Sequence, residues 1–340
     1  MALRPLIEGS RYLVDFDAIA ASARSRHARR VAVQLPEGFR AFAAEIARRV
    51  SEYTGAEVII DSEHCFGACD IPTHLFGQAD MVVQFGHTEM PSIGAMPKMH
   101  FANMFLDIDP LPVVEKALPL LSGRVGVVTT AQHVHHLDRI TSFLLERGVS
   151  ATTSNGDMRL GSCAQLLGCD YTSALSMEYR VDTFLYVGDG DFHPIGLVML
   201  SDRRLIAANP SDLSVRTLEE LRDRIMKQRL AAIERAMDAK SFGVLVSSKL
   251  GQRRKALADT IVSEIAGSQR EAMLIQTNVI SPDIISHYPF DAFVSTACPR
   301  IAIDDYRMYR KPLLTPIEAE IAIGLKPFSA FRFDQILAEQ

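Results

Sequence analysis

Short apolar runs alternate with amphipathic stretches along this chain, and the alternation comes three times. Residues 31–35 (VAVQL) predict a buried strand. The helix expected after it carries Phe39, Phe42, Ala43, Ile46 and Val50 on one stripe, and Gly55 ends it. Residues 58–60 predict a second strand, 81–85 a third closed by Gly86, and 99–104 a fourth. The second copy has strands at 125–128, 150–154, 184–187 and 205–208, with a helix stripe of Leu137, Ile140 and Leu144 capped by Gly148. The third has strands at 243–246, 273–275, 292–296 and 312–314, with Leu257, Ile261 and Ile265 on its helix and Gly267 as the stop. A charged amphipathic helix over 218–236 leads into it.

First-to-third strand spacings are about 50, 59 and 49 residues in the three copies. Strand–helix–strand units of this length imply parallel sheets with right-handed crossovers. The expected fold class is therefore α/β: three related small domains over 1–108, 109–212 and 213–340. Each is a short parallel sheet flanked by helices, and the third carries the leading helix.

Composition narrows the partners. Of 340 residues, 48% are hydrophobic and 23% charged, as in a globular chain. The net charge of −5 argues against a general nucleic-acid binder, so no direct nucleic-acid contact is expected. No run of about 18 apolar residues could cross a bilayer. The N-terminus lacks a signal-peptide pattern, and a cytoplasmic location is expected. The five cysteines favour a metal or catalytic use over a disulfide framework.

Three of them stand near predicted strand ends: Cys69 in HCFGACD, Cys169 in LLGCDY and Cys298 in STACPR. In parallel α/β domains, sites gather at the carboxyl ends of strands. Three such ends facing one cavity would offer three thiolates, which suit zinc or an iron–sulfur cluster. There is no CxxC pair of the kind structural zinc sites use. Cysteines that simply pack in a core are the competing reading. Other strand-end motifs are FGHTEM (85–90), TTAQHVHH (129–136), VGDGDFHPIG (187–196), PEG (36–38) and KLGQRRK (249–255). The basic run Arg253, Arg254 and Lys255 reads as a solvated helix start, and His135 and His136 as surface residues.

On these residues the chain resembles the archaeal-type 2-(3-amino-3-carboxypropyl)histidine synthase family, the diphthamide synthesis enzymes. The resemblance runs from VAVQLPEGFR through GACD, FGHTEMP, VTTAQHVHHL, GDMRL, LGCDYTSA, FHPIGL, AMDAKSFGVLVS and GQRR to ACPRIAIDDY and RKPLLTPIEAEIAIGL. It implies three domains with pseudo-threefold symmetry around a central site. There a 4Fe–4S cluster is held by one cysteine from each domain, here Cys69, Cys169 and Cys298. Cys65 and Cys163 fall outside that pattern.

The implied activity is transfer of the 3-amino-3-carboxypropyl group of S-adenosylmethionine to imidazole C2 of a histidine in translation elongation factor 2. A reduced cluster would generate the transferred radical, and methylthioadenosine would leave. No catalytic residue beyond the cluster ligands is expected. Candidates for binding S-adenosylmethionine are Gly86, His87, Thr129, Thr130, Gln132, His133, Gly188, Asp189, His193 and Pro194. The resemblance also implies a homodimer and an electron donor that the sequence does not identify. The alternatives are a quinolinate-synthase-like 4Fe–4S enzyme using its open iron as a Lewis acid, a non-catalytic partner subunit, and a zinc-stabilised scaffold.

Overall fold

The computed structural model describes residues 2–338. Three largely parallel sheets dominate it, and all their strands but the edge strand Ser214–Thr217 fall on the apolar runs. The first sheet holds Arg30–Gln34, Glu57–Ile60, Met81–Phe85 and Met99–Ala102. The second holds Val125–Thr129, Ala151–Thr152, Thr183–Val187, Arg204–Asn209 and Ser214–Thr217. The third holds Ser241–Ser247, Glu271–Thr277, Ala292–Ser295 and Leu313–Leu314. Numbered within each sheet by chain order, the strands lie 2-1-3-4 in the first and third and 2-1-3-4-5 in the second. One order found three times is the topological counterpart of the repeated spacing. In such a sheet the crevice between strands 1 and 3, beyond their carboxyl ends, is where ligands bind.

The chain divides into two compact units. The first comprises everything to Leu166 together with Thr172–Gly190 and Leu205–Arg216. The second comprises Leu167–Tyr171, Asp191–Arg204 and everything from Thr217. The first unit thus holds the first parallel sheet and nearly all of the second, and the second unit holds the third. The short stretch Leu167–Tyr171, which carries Cys169, belongs with the third sheet.

Packing follows from side-chain alternation along each strand. In the first sheet Val31, Val33, Met81, Val83 and Phe85 enter one core cluster. Ala32 and Val82 face the other side, under Ile71 and Leu75. Helix Ala43–Thr54 seats Ile46 and Val50, four residues apart, on the first face. Burying each contributes about 1.5–3 kcal/mol. Gly55 ends that helix with φ at 72°, a left-handed cap that glycine adopts without strain. In the third sheet Phe242, Val244 and Val246 face one cluster and Leu245 and Phe293 the other.

Two features lie outside the pattern read from sequence. A three-stranded antiparallel sheet joins Arg4–Pro5, Tyr12–Val14 and Phe105–Leu106. Helix Phe16–Ser25 follows, capped by the Asp15 carboxylate, which accepts from the Ala18 N–H at 3.0 Å. Strands of two or three residues are too short to show a period.

A buried ion pair anchors the third sheet. Arg229, on helix Glu219–Met237, donates to Glu318 Oε1 at 2.8 Å and Oε2 at 2.6 Å. It also donates to the carbonyls of Ala302 and Leu313. Glu318 in turn accepts from the Thr315 N–H, closing a capping box on helix Pro316–Ala322. Both side chains are only 2% exposed. Removing one partner leaves the other charged and buried, at a cost of about 3–5 kcal/mol. Urea denaturation of Arg229→Leu is expected to show a loss of that size, and Arg229→Leu with Glu318→Leu a smaller one.

Candidate functional site

Cys69 sits where the sequence reading put it, after strand 2 and before strand 3 of the first sheet. A tight turn holds it. The Phe66 N–H donates to Asp70 Oδ2 at 2.6 Å, and the Asp70 N–H donates to the Gly67 carbonyl at 3.0 Å. A Cβ on Gly67 would lie 3.2 Å from the Cys69 sulfur, so the glycine leaves room for the thiol. The turn is bolted to the sheet by two glutamines. Gln34 and Gln84 are cross-strand neighbours on strands 1 and 3, 2% and 0% exposed. Gln84 Nε2 donates to Gln34 Oε1 at 2.7 Å and to the Asp70 carbonyl at 3.0 Å. Sequence reasoning missed both. Their signal was a polar residue at the fourth position of VAVQL and again of MVVQF.

Cys65 lies apart from this geometry. It is buried, with its sulfur 3.7 Å from His87 Nδ1. Burial pushes the His87 imidazole down from 6.5 to about 4, so it is neutral at pH 7. Cys163 packs against the core of the second sheet.

The strand-end residues of the first unit are linked in a chain. Gly86, with φ at 81°, closes strand 3 of the first sheet and accepts from Gln132 Nε2 at 3.3 Å. The Gln132 carbonyl accepts from the Leu106 N–H at 2.9 Å. Thr129 Oγ1 donates to the Val187 carbonyl at 2.6 Å, tying strand 1 to strand 3 of the second sheet, where Gly188 follows. Thr130 is buried, and its carbonyl accepts from the His133 N–H at 3.0 Å. His133 is 1% exposed, and its Nε2 stands 3.6 Å from Asp189 Oδ2, an ion-pair distance and not a hydrogen bond. The His133 ring and Ser211 hold the Asp189 carboxyl below its usual range. The structure thus joins Gly86 to Gln132, and His133 to Asp189, at the carboxyl ends of two sheets. His135 is exposed, and its ring centroid lies 3.7 Å from that of half-buried His136 with the planes tilted by 40°.

The second unit brings Cys169 and Cys298 near one another. Leu167 and Asp170 close a turn with Gly168 and Cys169 at its tip. A Cβ on Gly168 would collide with the Phe192 ring, which requires glycine there. Tyr171, fully buried, donates its hydroxyl to the Gly168 carbonyl at 2.9 Å. Burial raises the Tyr171 phenol far above its ordinary value, and Arg300 opposes that. The Arg300 Cγ lies 3.2 Å from where a Cβ on Gly168 would sit, so the turn that carries Cys169 packs against the residues that follow Cys298. Cys298 follows strand 3 of the third sheet, and its carbonyl accepts from the Ile301 N–H as helix Arg300–Asp304 begins.

Arg300 is 3% exposed, lies over the Phe192 ring at 4.6 Å, and pairs with Asp304 through Nε and Nη2. Its buried Nη1 has no hydrogen-bond partner among the described residues. Cysteines in the loops on either side of a buried guanidinium with a donor to spare would suit an anionic iron–sulfur cluster and its ligand. His193 and Pro194 also lie in this unit. His193 packs on Phe192 at 5.1 Å, and Pro194 opens helix Pro194–Leu200.

One expectation needs correcting. Lys255 is solvated and pairs with Asp259, and Arg253 is exposed, but Arg254 is buried. It donates to Thr296, Ala297, Asp334 and Gln335, so it is an anchor and not part of a solvated helix start. No group of three or more His, Cys, Asp or Glu side chains among the described residues is placed to hold a metal ion.

Comparison with known proteins adds the lineage. The model of the diphthamide synthesis protein family matches residues 35–330. The chain belongs to the diphthamide synthesis protein family. It is 36% identical over 316 residues to the 2-(3-amino-3-carboxypropyl)histidine synthase of Pyrococcus horikoshii, covering 91% of this chain and 90% of that one. It is 28% identical to subunit 1 of the same synthase from Encephalitozoon cuniculi, covering 90% of this chain and 87% of that one. Crystal structures of Dph2 from Pyrococcus horikoshii superpose with a TM-score of 0.86 at 33% identity, covering 99% of this chain and 95% of theirs. One of them contains a 4Fe–4S cluster. The α/β class with several parallel sheets flanked by helices is the family's fold. No helix among the described residues is long and apolar enough to cross a membrane.

Two predictions follow from the local geometry. Gln84→Met keeps the volume but leaves Gln34 Oε1 and the Asp70 carbonyl without their donor, at a cost of about 1–3 kcal/mol. Chemical denaturation is expected to show that loss, and Cys69 in the metal-free protein is expected to alkylate faster. The second concerns acid. The unfolded chain protonates His87 near 6.5 and the folded chain near about 4. Where the unfolded state binds more protons, stability falls with falling pH. The His87 contribution therefore declines from pH 6.5 to pH 4 and is flat below. Melting curves of His87→Phe against pH are expected to fall less steeply over that window than those of the parent chain.

Proposed function

We propose that this protein transfers the 3-amino-3-carboxypropyl group of S-adenosylmethionine to imidazole C2 of a histidine in translation elongation factor 2, the first step of diphthamide synthesis. The observation that carries the reading is that one cysteine follows the second or third strand in each of the three repeats along the chain, in a member of this family. A relative that binds a 4Fe–4S cluster supports it.

Cys69, Cys169 and Cys298 are the proposed ligands. In a 4Fe–4S cluster each thiolate binds a different iron, so the sulfurs need not converge on one point as they do around a single ion. Three protein ligands leave the fourth iron open to S-adenosylmethionine. When bound and reduced, the cluster supplies one electron to the sulfonium, the bond from sulfur to the γ-carbon breaks, and methylthioadenosine leaves with a 3-amino-3-carboxypropyl radical as the other product. After addition to imidazole C2, the adduct would return one electron to the oxidised cluster and release the C2 proton to solvent, so the transfer is redox-neutral overall.

The protein's part is to hold and orient. The turn around Cys69 and the Tyr171 contact under Cys169 fix thiolate positions. Arg300 keeps a positive charge beside the anionic site. Gly86, His87, Thr129, Thr130, Gln132, His133, Gly188, Asp189, His193 and Pro194 are the proposed contacts to S-adenosylmethionine. The polar run Gln132, His133 and Asp189 suits the hydroxyls and nitrogens of a nucleoside.

Division into domains at 1–108, 109–212 and 213–340, a homodimer, a cytoplasmic setting and a separate electron donor belong to the same reading. Membership of the family argues against the quinolinate-synthase-like alternative. Retention of all three cysteines argues against a non-catalytic partner subunit.

The test is iron and acid-labile sulfide on anaerobically purified protein, followed by reduction with dithionite and addition of S-adenosylmethionine. About four irons per chain and release of methylthioadenosine are expected. Cys69→Ala, Cys169→Ala and Cys298→Ala are each expected to lower iron content and abolish transfer to the elongation factor, and Cys65→Ala and Cys163→Ala to do neither. Well-folded protein with zinc or no metal would overturn the proposal. So would loss of the cluster in Cys65→Ala with Cys69→Ala silent.

A further inference from the structure

The family match ends at residue 330, yet the chain beyond it is tightly held. Residues 331–337 form no helix or strand. Terminal segments of this kind fray unless something ties them down. Here Phe333 and Ile336 are 4% and 3% exposed.

The ties run to both candidate cysteine loops of the second unit. Arg254 is the first. Its Nη1 and Nη2 donate to the two Asp334 oxygens at 3.0 and 2.5 Å, a fork-to-fork pair. Nη1 also donates to the Gln335 carbonyl at 3.0 Å. From the same guanidinium, Nε donates to the Thr296 carbonyl at 2.7 Å and Nη2 to the Ala297 carbonyl at 3.1 Å. Those are the two residues immediately before Cys298. One planar cation thus grips the tail on one edge and the Cys298 loop on the other.

The tail reaches Cys169 by a second set of bonds. The Ile336 N–H donates to the Cys169 carbonyl at 2.9 Å. The Tyr171 N–H donates to Gln335 Oε1 at 3.2 Å. Phe333 meets the Tyr171 ring edge-on at 5.8 Å. Gln335 is the bridge, with its carbonyl on Arg254 and its side chain on Tyr171.

We propose that residues 332–338, clamped by Arg254, set the spacing between Cys169 and Cys298 and so act as a positioning element for the cluster. The proposal rests on the reading of these two cysteines as ligands. Its physical ground is twofold. Both loops are irregular backbone, whose buried N–H and C=O groups need partners outside regular structure. Ligand sulfurs must also be held to within about 0.5 Å, which irregular loops do not achieve without a brace. Lysine could not replace Arg254, because a single ammonium cannot present a planar fork to a carboxylate and three carbonyls together.

The experiment compares the full chain with Asp334→Asn, Asp334→Glu, Arg254→Lys and a truncation ending at residue 331. Each is reconstituted anaerobically with iron and sulfide. The readouts are the rate of cluster loss to a chelator, the midpoint potential of the bound cluster, and the melting temperature of the metal-free protein. Loss of partners around metal ligands costs about 10–100-fold in affinity. Asp334→Asn, Arg254→Lys and the truncation are expected to lose the cluster faster by a factor in that range and to shift its potential. Asp334→Glu is expected to recover most of the retention, and a synthetic peptide of residues 331–340 to restore it to the truncated protein. Cluster retention and potential equal to those of the full chain, in both Asp334→Asn and the truncation, would overturn the proposal.

A separate arm uses metal-free protein, with cross-linking of Cys169 to Cys298 by a short bifunctional maleimide. Reduced cross-linking in Asp334→Asn supports the proposal, and unchanged cross-linking counts against it. This arm gives its answer even if the full chain takes up no iron, so failure of the proposed function and failure of the brace are distinguishable.

Discussion

A parallel sheet covered on both faces leaves its polar chemistry to the loops beyond its strands. Most polar elements of the candidate site obey that constraint. The strand interiors are mainly Val, Ile, Leu, Phe, Ala and Met, with Gln34 and Gln84 as polar exceptions, and the loops of the candidate site leave the sheets at Gly86, Thr130, Gly188, Ser248 and Thr296. Loops at these ends are irregular and partly buried, so each needs its own set of partners. The glutamine pair Gln34 and Gln84 meets that need for Cys69, and Tyr171 with the C-terminal tail meets it for Cys169. Polar residues placed inside the sheets are therefore best understood through the loops they hold.

Three buried arginines in the second unit show how saturation separates structural from chemical roles. Arg229 places its donors on Glu318 and two carbonyls. Arg254 spends its contacts on Asp334 and three carbonyls. Both charges are neutralised by a bidentate carboxylate, and both join segments far apart in the chain. Arg300 differs. Its carboxylate partner is four residues away on the same short helix, and one buried nitrogen has no hydrogen-bond partner among the described residues. A buried donor of that kind is costly unless a bound group meets it. The unsaturated arginine is also the one that follows Cys298 by two residues and packs against Gly168, the neighbour of Cys169.

Much of the fold was legible because the strands are uninterrupted apolar runs and the spacing repeats. The position of each cysteine relative to the strands was legible for the same reason. What escaped were elements without a period. The antiparallel sheet at the N-terminus has strands of two or three residues, below the length at which alternation can be seen. The tail has no periodicity, and its order comes from a partner 80 residues earlier in the chain. Arg254 looked like one member of a basic run, because a run of charges says nothing about which one meets a carboxylate. Gln34 and Gln84 were visible as matching interruptions in VAVQL and MVVQF, but their meaning required the Asp70 carbonyl beneath them.

The contrast between Cys65 and Cys69 shows why spacing alone could not assign ligands. Four residues separate them, a distance that suits a helical turn and invites pairing. The structure gives the two different surroundings. Cys65 is buried against His87, an imidazole that burial keeps neutral at pH 7. A neutral ring offers a hydrogen-bond contact but no charge to stabilise a thiolate, and apolar burial favours the thiol. Cys69 is only half-buried, at the tip of a turn whose backbone N–H and C=O groups are already engaged. Cys65 is enclosed beside His87, whereas the Cys69 side chain is partly exposed at its turn. Environment, and not interval, distinguishes the two cysteines of this loop, and it is the ground on which Cys69 is the proposed ligand.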